Sequence, residues 1–262
     1  MNQFETTDRA IRATGVSVRF GGVKALTEVS LSIPAGRVTG LIGPNGSGKS
    51  TMVNVITGMV RPTAGQVTLD GTDVLRSGAS SRPRHGLVRT FQTPRVKGAS
   101  TVLDNVLIGS YAKERTGMPG AIFGSPRSRR EKSAAREHAE QLIERFGLQA
   151  FAGRPAAEAP IWALRAMEIA RALMADPRYL LLDEPAAGTD DEAKARLITT
   201  VKELGTAGIG VLMIEHHFNL VVEVCDDVVV LNKGELLATG TPAEVTAHPE
   251  VMSVYLGTEV TR

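Results

Sequence analysis

A short glycine-rich stretch contains the residue types and spacing that point most directly to chemistry. It fits the pattern G-x-x-x-x-G-K-[ST], in which successive backbone N–H groups turn into one concave site for an anion. The lysine can reach the outer phosphates of a bound polyphosphate, and the serine hydroxyl can ligate Mg²⁺. The residues that we assign to this phosphate loop are Gly43, Pro44, Asn45, Gly46, Ser47, Gly48, Lys49, Ser50 and Thr51.

Two carboxylates follow an apolar run further along the chain, at Asp183 and Glu184. If the run Leu180–Leu182 is a buried parallel strand, both residues lie at the sheet edge where nucleotides bind. Asp183 is then placed to hold Mg²⁺, directly or through water, and Glu184 to polarise an attacking water. An ordinary acidic turn is the alternative, which the phosphate loop upstream makes less favourable.

A histidine and a glutamine follow two other apolar runs, and each has two interpretations. His216 comes after Gly210–Ile214 and can donate a hydrogen bond to a γ-phosphate, although a histidine exposed at the surface without a ligand is commoner. Gln92 ends the predicted strand Val88–Phe91 and can reach a metal ion or the attacking water. Chemistry alone favours a solvated turn amide for Gln92.

These side chains meet only if parallel strands bring them to one edge, and the pattern of elements predicts such a sheet. Apolar strands alternate with helices, which is typical of a parallel sheet covered on both faces. Further strands with β-branched residues flank the phosphate loop. The predicted strands are Arg12–Phe20, Lys24–Ile33, Val38–Ile42, Gln66–Leu69, Tyr179–Leu182, Gly210–Ile214 and Val228–Leu231, and a helix is predicted from Met52 to Gly58.

The middle of the chain predicts helices rather than strands. Apolar residues recur at helical spacing in Ser133–Phe146, and Ala163–Ala175 forms a second helical pattern that ends before Pro177. The stretch from Lys113 to Lys132 is rich in Gly, Pro and Arg and predicts a loop or an irregular insertion.

Composition restricts the class of protein. The chain has 262 residues, of which 42% are hydrophobic, so it predicts a folded globular protein. Its apolar runs have the length of strands, and its polar first residues do not fit a secretory signal. A net charge of +2 is too small to indicate a nucleic-acid partner by itself. The single cysteine, Cys225, makes no internal disulfide, which fits a reducing cytosol.

Taken together, the ordered motifs resemble the ATP-binding subunit of an ATP-binding cassette (ABC) transporter over nearly the whole chain. In that family Gly43–Thr51 is the Walker A loop, Thr90-Phe91-Gln92 the glutamine loop and Leu182–Pro185 the Walker B motif. The resemblance makes Glu184 the catalytic glutamate, His216 the switch histidine and Phe20 the aromatic residue that stacks on adenine. Without the resemblance, Phe20 would be interpreted as a core residue of a strand.

The resemblance implies an α/β fold, with a P-loop NTPase (RecA-like) core, an antiparallel β subdomain and an α-helical subdomain. The whole chain, 1–262, is then one ABC ATPase domain, with the core and β subdomain in 1–92 and 177–262 and the helical subdomain in 93–176. The implied ligands are ATP and Mg²⁺. Glu184, His216 and Gln92 are implied to act in catalysis, and Ser50, Gln92 and Asp183 to hold the metal.

Details of the motifs resemble the branch of the family that takes up branched-chain amino acids. They are Arg89–Gln92, Asp183–Gly188, Ile214–His216 and the ending from Gly240 to Gly257. Thr189–Glu192 is closer to relatives assigned to urea or amide uptake. This branch implies an importer subunit bound to transmembrane permease subunits, at the cytoplasmic face of the membrane, with no nucleic-acid partner.

One motif departs from the family. The signature L-S-G-G-Q falls on Ala159, Pro160, Ile161, Trp162 and Ala163, so the serine hydroxyl and both glycines are missing. In the family this segment closes over the γ-phosphate of the opposite subunit, and proline offers neither a hydroxyl nor an N–H. A homodimer would contain two damaged sites. We therefore expect a heterodimer with a second, intact ATP-binding subunit.

Two other functions remain open from the sequence. The first is an ATP-gated regulatory subunit that barely hydrolyses ATP, which the altered signature favours and the intact Glu184 and His216 oppose. The second is a soluble ABC protein of DNA repair or translation. Such proteins usually have two cassettes or long insertions, and this chain has one short cassette.

Overall fold

Alternation of strands and helices along the chain produces two compact units, which we describe separately. The computed structural model describes residues 9–91, 93, 96–112 and 126–259. The first unit consists of residues 1–89, 178–185 and 198–262, and the second of residues 90–177 and 186–197.

A six-stranded sheet forms the centre of the first unit, in the order β10-β9-β3-β8-β7-β6. Its neighbours pair in parallel except β10, which runs antiparallel to β9 at one edge. The central strands β3 and β8 are buried along their whole length, as a parallel sheet covered on both faces requires. The strands are β1 Ala10–Phe20, β2 Val23–Pro34, β3 Val38–Ile42, β4 Ala64–Leu69, β5 Thr72–Asp73, β6 Leu87–Arg89, β7 Tyr179–Asp183, β8 Gly210–Ile214, β9 Asp227–Asn232 and β10 Glu235–Gly240.

The first unit also contains a four-stranded antiparallel sheet, in the order β2-β1-β4-β5. Burial alternates along most of β1 and β2, so one face of this sheet packs on a core and the other faces solvent. Tyr179 of β7 is fully buried, and its hydroxyl donates a hydrogen bond to Asp70, which follows β4. Arg178 also forms an ion pair with Asp70. These contacts join the end of β4 to the start of β7.

Eight α-helices lie in the described parts of the chain. Two begin with a capping box, in which the side chain of Thr101 or Thr241 accepts from the backbone N–H three residues later. The helix after the phosphate loop buries Met52, Val53, Val55 and Ile56 on one face. The helices are α1 Lys49–Ile56, α2 Val102–Leu107, α3 Pro126–Arg145, α4 Ile161–Leu173, α5 Asp191–Thr206, α6 Phe218–Val224, α7 Pro242–Thr246 and α8 Pro249–Glu259.

The second unit is mainly helical. It contains α2, α3, α4 and the first residues of α5, up to Leu197. Buried apolar residues of the three complete helices form its interior, among them Val106, Ala139, Leu142, Met167 and Ala170. These residues recur at helical spacing, which is why the sequence pattern identifies α3 and α4.

Three predicted boundaries are wrong. The helix after the phosphate loop begins at Lys49 rather than Met52, and β6 ends at Arg89 rather than Phe91, because its pairing with β7 stops there. The end of the predicted loop Lys113–Lys132 is helical, since α3 begins at Pro126. Proline is favoured in a first helical turn, and the following Arg, Ser, Glu and Lys residues are compatible with a helix. Residues 113–125 lie outside the described chain.

Candidate functional site

The phosphate loop joins β3 to α1, and its backbone forms the concave turn that the motif predicts. Gly46 and Gly48 have positive φ angles of 78° and 103°. Gly48 is the N-cap residue of α1 and provides no side-chain capping bond, so the first N–H groups of the helix suit an anion. The loop and helix therefore fit a phosphate group through backbone donors.

Lys49 is the buried cation of this loop. Its Nζ donates hydrogen bonds to the carbonyl oxygens of Gly43, at 2.6 Å, and Pro44, at 3.1 Å. Burial lowers the pKa of Lys49, and the negative charges of Glu184 and Asp183 oppose that shift. The ammonium group thus lies within electrostatic range of both carboxylates.

Neighbouring strands place the acidic residues beside the loop. β8 lies between β3 and β7, and Asp183, the last residue of β7, pairs with Ile214 at the end of β8. The N–H of Glu184 donates to the carbonyl of Ile214 at 3.0 Å. Glu184 has a φ angle of +47°, which is uncommon for a residue with a side chain. The chain therefore turns sharply at the residue predicted to orient water.

His216 lies at the same edge, after β8. Its Nδ1 atom is 3.8 Å from Oε1 of Glu184 and 3.9 Å from Oε2 of Glu215, whose side chain is fully buried. Because Nδ1 faces two carboxylates, Nε2 is the ring nitrogen that remains for another partner. The His216 side chain is 47% exposed, so a ligand can reach it. The structure brings Lys49, Glu184 and His216 to one edge of the sheet.

Asp183 has a partner that the sequence did not reveal. Nη2 of Arg89 donates to Oδ2 of Asp183 at 2.7 Å, and Nη1 of the same guanidinium donates to Oδ1 of Asn54 at 2.7 Å. In the sequence, the stretch Arg89–Gln92 carries only a family resemblance and indicates no partner for the arginine. The parallel pairing of β6 with β7 is what brings the arginine to Asp183, and neither run of residues shows that pairing alone.

Phe20 ends β1 at a tight hairpin and is 51% exposed, so its interpretation as a core residue is wrong. It pairs with Val23 at the start of β2. Further along β2, Ala25 and Leu26 lie against Gly48, where an added Cβ would be 2.9 Å from the carbonyl oxygen of Ala25. The hairpin end is therefore near the phosphate loop, with an aromatic face available for a base.

The metal-binding prediction fits the donor atoms that the described residues provide. Those residues contain no cluster of three or more His, Cys, Asp or Glu side chains that could hold a metal ion. Mg²⁺ usually takes one or two protein oxygens and completes its shell with phosphate oxygens and water. The exposed Ser50 and the carboxylate of Asp183 suit such a site. Gln92, the third predicted ligand, lies outside the described residues.

Comparison with known proteins agrees with this geometry. Residues 26–187 match the family model described as ABC transporter. The chain belongs to the ABC transporter family. It is an ATP-binding cassette and an ATPase of that family. Residues 235–261 match a second model, described as branched-chain amino acid ATP-binding cassette transporter.

Similar ABC proteins extend over almost the whole chain. A high-affinity branched-chain amino acid transport ATP-binding protein, BraF of Pseudomonas aeruginosa, is 37% identical and covers 94% of this chain and 97% of its own length. The corresponding LivG of Escherichia coli K12 is 36% identical with the same coverage. A probable LivG of Methanocaldococcus jannaschii is 34% identical and covers 96% of this chain and 98% of its own.

Solved structures of ABC cassettes share the fold. One cassette in an ADP conformation has a TM-score of 0.82 at 34% identity and covers 95% of this chain and 99% of its own. A nucleotide-free cassette has a TM-score of 0.81 at 33% identity, with 94% and 98% covered. The predicted α/β fold with a P-loop NTPase core is confirmed. No helix in the described part of this ABC chain is long and apolar enough to span a membrane.

The segment aligned with the ABC signature begins α4 in the second unit. Pro160 is the N-cap residue, and its side chain makes no capping hydrogen bond. The ring of Trp162 contacts Phe151 edge-on at 5.6 Å between centroids, and the guanidinium carbon of Arg196 lies 5.0 Å from the Trp162 ring centre. Trp162 is therefore held by ring packing and a cation–π contact, at the position that the family resemblance assigns to a signature glycine.

Proposed function

We propose that this chain hydrolyses ATP to drive an importer of branched-chain amino acids or related small amides. Its relatives BraF and LivG carry names of branched-chain amino acid transport, and residues 235–261 match a model with the same description. The amide alternative rests on Thr189–Glu192, the stretch that is closer to urea and amide relatives. Transmembrane permease subunits are the partners that such a cassette requires.

The observation that carries the hydrolytic mechanism is the grouping of Lys49, Glu184 and His216 at one edge of the sheet. Lys49 is proposed to neutralise charge on the outer phosphates of ATP. Glu184 orients the attacking water and draws a proton from it. His216, with Nδ1 turned toward Glu184 and Glu215, donates from Nε2 to the γ-phosphate. Gln92 is proposed to contact the metal or the water.

The remaining site residues bind and orient the substrate. Backbone N–H groups of Gly43–Thr51 hold the phosphates, and the exposed ring of Phe20 stacks on the adenine. Ser50, Asp183 and Gln92 are the proposed Mg²⁺ ligands. When bound, Mg²⁺ withdraws charge from the β- and γ-phosphate oxygens.

We further propose that the second cassette of the transporter is a different chain. The altered segment Ala159–Ala163 lacks the hydroxyl and the N–H that a serine would offer at position 160, and Ile161 and Trp162 place bulky side chains where glycines would let the backbone approach a partner's γ-phosphate. The chain's own site residues are complete. The packing of Trp162 against Phe151 and Arg196 supports a structural role for that segment. In such a heterodimer the ATP site on this chain turns over, and the opposite site binds ATP with little turnover.

This assembly places the chain at the cytoplasmic face of the membrane, held there peripherally by its permease subunits. Purification of the tagged chain from native membranes tests that proposal. We expect two permease subunits and a second cassette to copurify in defined ratio. Recovery of the chain as a homodimer, or with nucleic acid, would contradict it.

Substitution of Glu184 by Gln in the purified transporter tests the catalytic role. Turnover should fall by about a hundredfold or more, while ATP binding is kept, because the isosteric amide cannot accept the proton from water. Uptake of labelled leucine into proteoliposomes should fall in parallel. If turnover is unchanged, the chain is an ATP-gated regulatory subunit, and if labelled acetamide alone is taken up, the substrate is an amide.

A further inference from the structure

One guanidinium group connects the proposed magnesium carboxylate to the helix of the phosphate loop. Arg89 donates from Nη2 to Oδ2 of Asp183 and from Nη1 to Oδ1 of Asn54, each at 2.7 Å. The side chains of Arg89 and Asp183 are only 11% and 14% exposed, so solvent screens their attraction weakly. Both hydrogen bonds are short and involve a charged group, which makes them strong.

The fold explains why these residues meet. β6 pairs in parallel with β7, with Arg89 opposite Leu181, so the end of β6 lies beside Asp183. Asn54 lies on α1, the helix that begins with Lys49 and Ser50. Arg89 therefore contacts both the element that carries the proposed metal carboxylate and the element that carries the proposed metal hydroxyl.

We propose that Arg89 is a positioning residue that holds Asp183 toward α1 and raises the Mg²⁺ concentration at which the site fills. This inference rests on the proposed function, since it requires the Mg²⁺–ATP site. A divalent cation that approaches Asp183 meets a carboxylate already paired with a fixed positive charge. Lys49 is a second cation within electrostatic range of the same carboxylate, and the two positive charges together weaken the attraction of Asp183 for Mg²⁺ until phosphate charge is present.

Removal of Arg89 has two opposite effects on Mg²⁺ binding. It frees the Asp183 side chain to rotate, which weakens binding, and it removes a positive charge, which strengthens binding. The charge effect is larger, because Mg²⁺ is divalent and the pair is shielded from water, whereas aspartate has few rotamers to lose. Loss of the positive charge should therefore lower the Mg²⁺ requirement.

The test measures binding of an ATP analogue with a fluorescent ribose group to the purified chain, first in EDTA and then across a Mg²⁺ titration. In R89Q, the Mg²⁺ concentration for half-maximal enhancement should fall about fivefold. Arg89→Met, which keeps the long apolar stem, should shift by the same amount and is the second neutral variant if R89Q does not fold. Affinity in EDTA is measured for each variant, which separates a change in nucleotide binding itself from a change in the Mg²⁺ midpoint.

Two variants separate charge from other effects. Arg89→Lys keeps the positive charge beside Asp183 and should leave the Mg²⁺ midpoint within about twofold of wild type. Arg37→Gln is the control for loss of an arginine–aspartate pair elsewhere in the fold. Arg37 donates two hydrogen bonds to Asp227, at 2.7 and 2.9 Å, and this pair lies at the opposite, amino-terminal edge of the same sheet. This variant should leave the Mg²⁺ midpoint unchanged.

The outcomes separate this inference from the proposed function. An unchanged or higher Mg²⁺ midpoint in both neutral variants overturns the inference alone, and so does an equal shift in Arg89→Lys. Wild-type protein that binds no nucleotide, or binds it without any effect of Mg²⁺, overturns the proposed function together with the inference. A lower midpoint in the neutral variants only supports the role of Arg89.

Discussion

Backbone strain occurs at Glu184, the residue that we propose to orient the attacking water. Its φ angle of +47° costs about 1–3 kcal/mol for a residue with a Cβ atom. The hydrogen bond from its N–H to Ile214 fixes this turn. The side chain then points its Oε1 atom toward His216. Gln has the same shape and φ preferences, so Glu184→Gln should change the free energy of unfolding by no more than about 0.5 kcal/mol.

Two glycines of the phosphate loop should respond differently to the addition of a methyl group by substitution with alanine. An alanine Cβ at Gly48 would lie 2.6 Å from Cδ2 of Leu26 and 2.9 Å from the carbonyl oxygen of Ala25, whereas one at Gly46 would meet no atom within 4 Å. Both have positive φ angles. Gly46→Ala should therefore cost about 1 kcal/mol of unfolding free energy and Gly48→Ala about 3 kcal/mol or more.

Urea unfolding of the two variants measures this difference, and binding of the fluorescent ATP analogue provides a second comparison. Gly46→Ala should stay folded and still lose affinity, because its methyl group projects from the loop where a phosphate must approach. Equal losses of stability in the two variants would contradict the geometry of the loop.

Sequence alone identifies the candidate functional residues that belong to a short contiguous motif. Lys49 and Ser50 follow from the glycine spacing, and Asp183 with Glu184 from the apolar run before them. Arg89 could not be assigned a partner, because its ion pair joins two strands that are far apart in the chain. The burial of Glu215 beside His216 is also hidden, because it depends on how the elements pack.

At the scale of elements, the limits of the buried strands β3 and β8 were predictable, whereas the end of β6 and the start of α3 were not. Apolar and β-branched runs identify β3, β7 and β8, whose residues are mostly buried. The end of β6 depends on its partner, since the ladder with β7 stops at Arg89. The start of α3 depends on helix-compatible polar residues after Pro126, which give no apolar signal.

The sheet and its covering helix predict how stability depends on alkaline pH. Burial raises the pKa of the Cys225 thiol, which lies just after α6. Burial also raises the pKa of the Tyr179 hydroxyl in β7, and the hydrogen bond to Asp70 raises it further. Their ordinary values are 9.0 and 10.0. Above these values the unfolded chain releases protons that the folded chain keeps. Stability is therefore fully present below about pH 9 and falls as pH rises.

Denaturant unfolding at intervals between about pH 8 and pH 10.5 measures this fall. Each group adds a slope of up to about 1.4 kcal/mol per pH unit once its unfolded form is ionised. Cys225→Ala should remove the part of the fall that begins near pH 9, and Tyr179→Phe the part that begins near pH 10. If wild type and Cys225→Ala show the same slope, the thiol is not buried as described.

At the scale of the whole molecule, two sets of residues differ in how well they match the ABC family. The first set is the chain's own proposed ATP site, and the second is the signature segment that a cassette of this family directs toward its partner. The first set retains every residue type that the proposed mechanism uses. The second retains only a helix start, with Pro160 as its N-cap and Trp162 packed by its neighbours. In the heterodimer that we propose, this asymmetry makes turnover depend on the partner cassette, so the isolated chain should hydrolyse ATP slowly.

Restoration of the signature tests this dependence directly. The variant Pro160→Ser, Ile161→Gly, Trp162→Gly and Ala163→Gln returns a hydroxyl and an N–H at position 160, two glycines that let the backbone approach phosphate closely, and a side-chain amide at the start of α4. Since one lost transition-state donor typically costs about a hundredfold in rate, the isolated variant should hydrolyse ATP at least tenfold faster than wild type. Phosphate release at matched protein concentration measures the gain.

Two controls make the result specific. The same four substitutions with Glu184→Gln should show no gain, because the restored segment acts on the γ-phosphate and leaves the attack of water to Glu184. Trp162→Ala alone removes the ring without supplying donors, so it should lower the melting temperature by a few degrees and leave turnover low. A folded four-residue variant with unchanged turnover would show that the signature does not limit this chain, and the argument for an unlike partner would then fail.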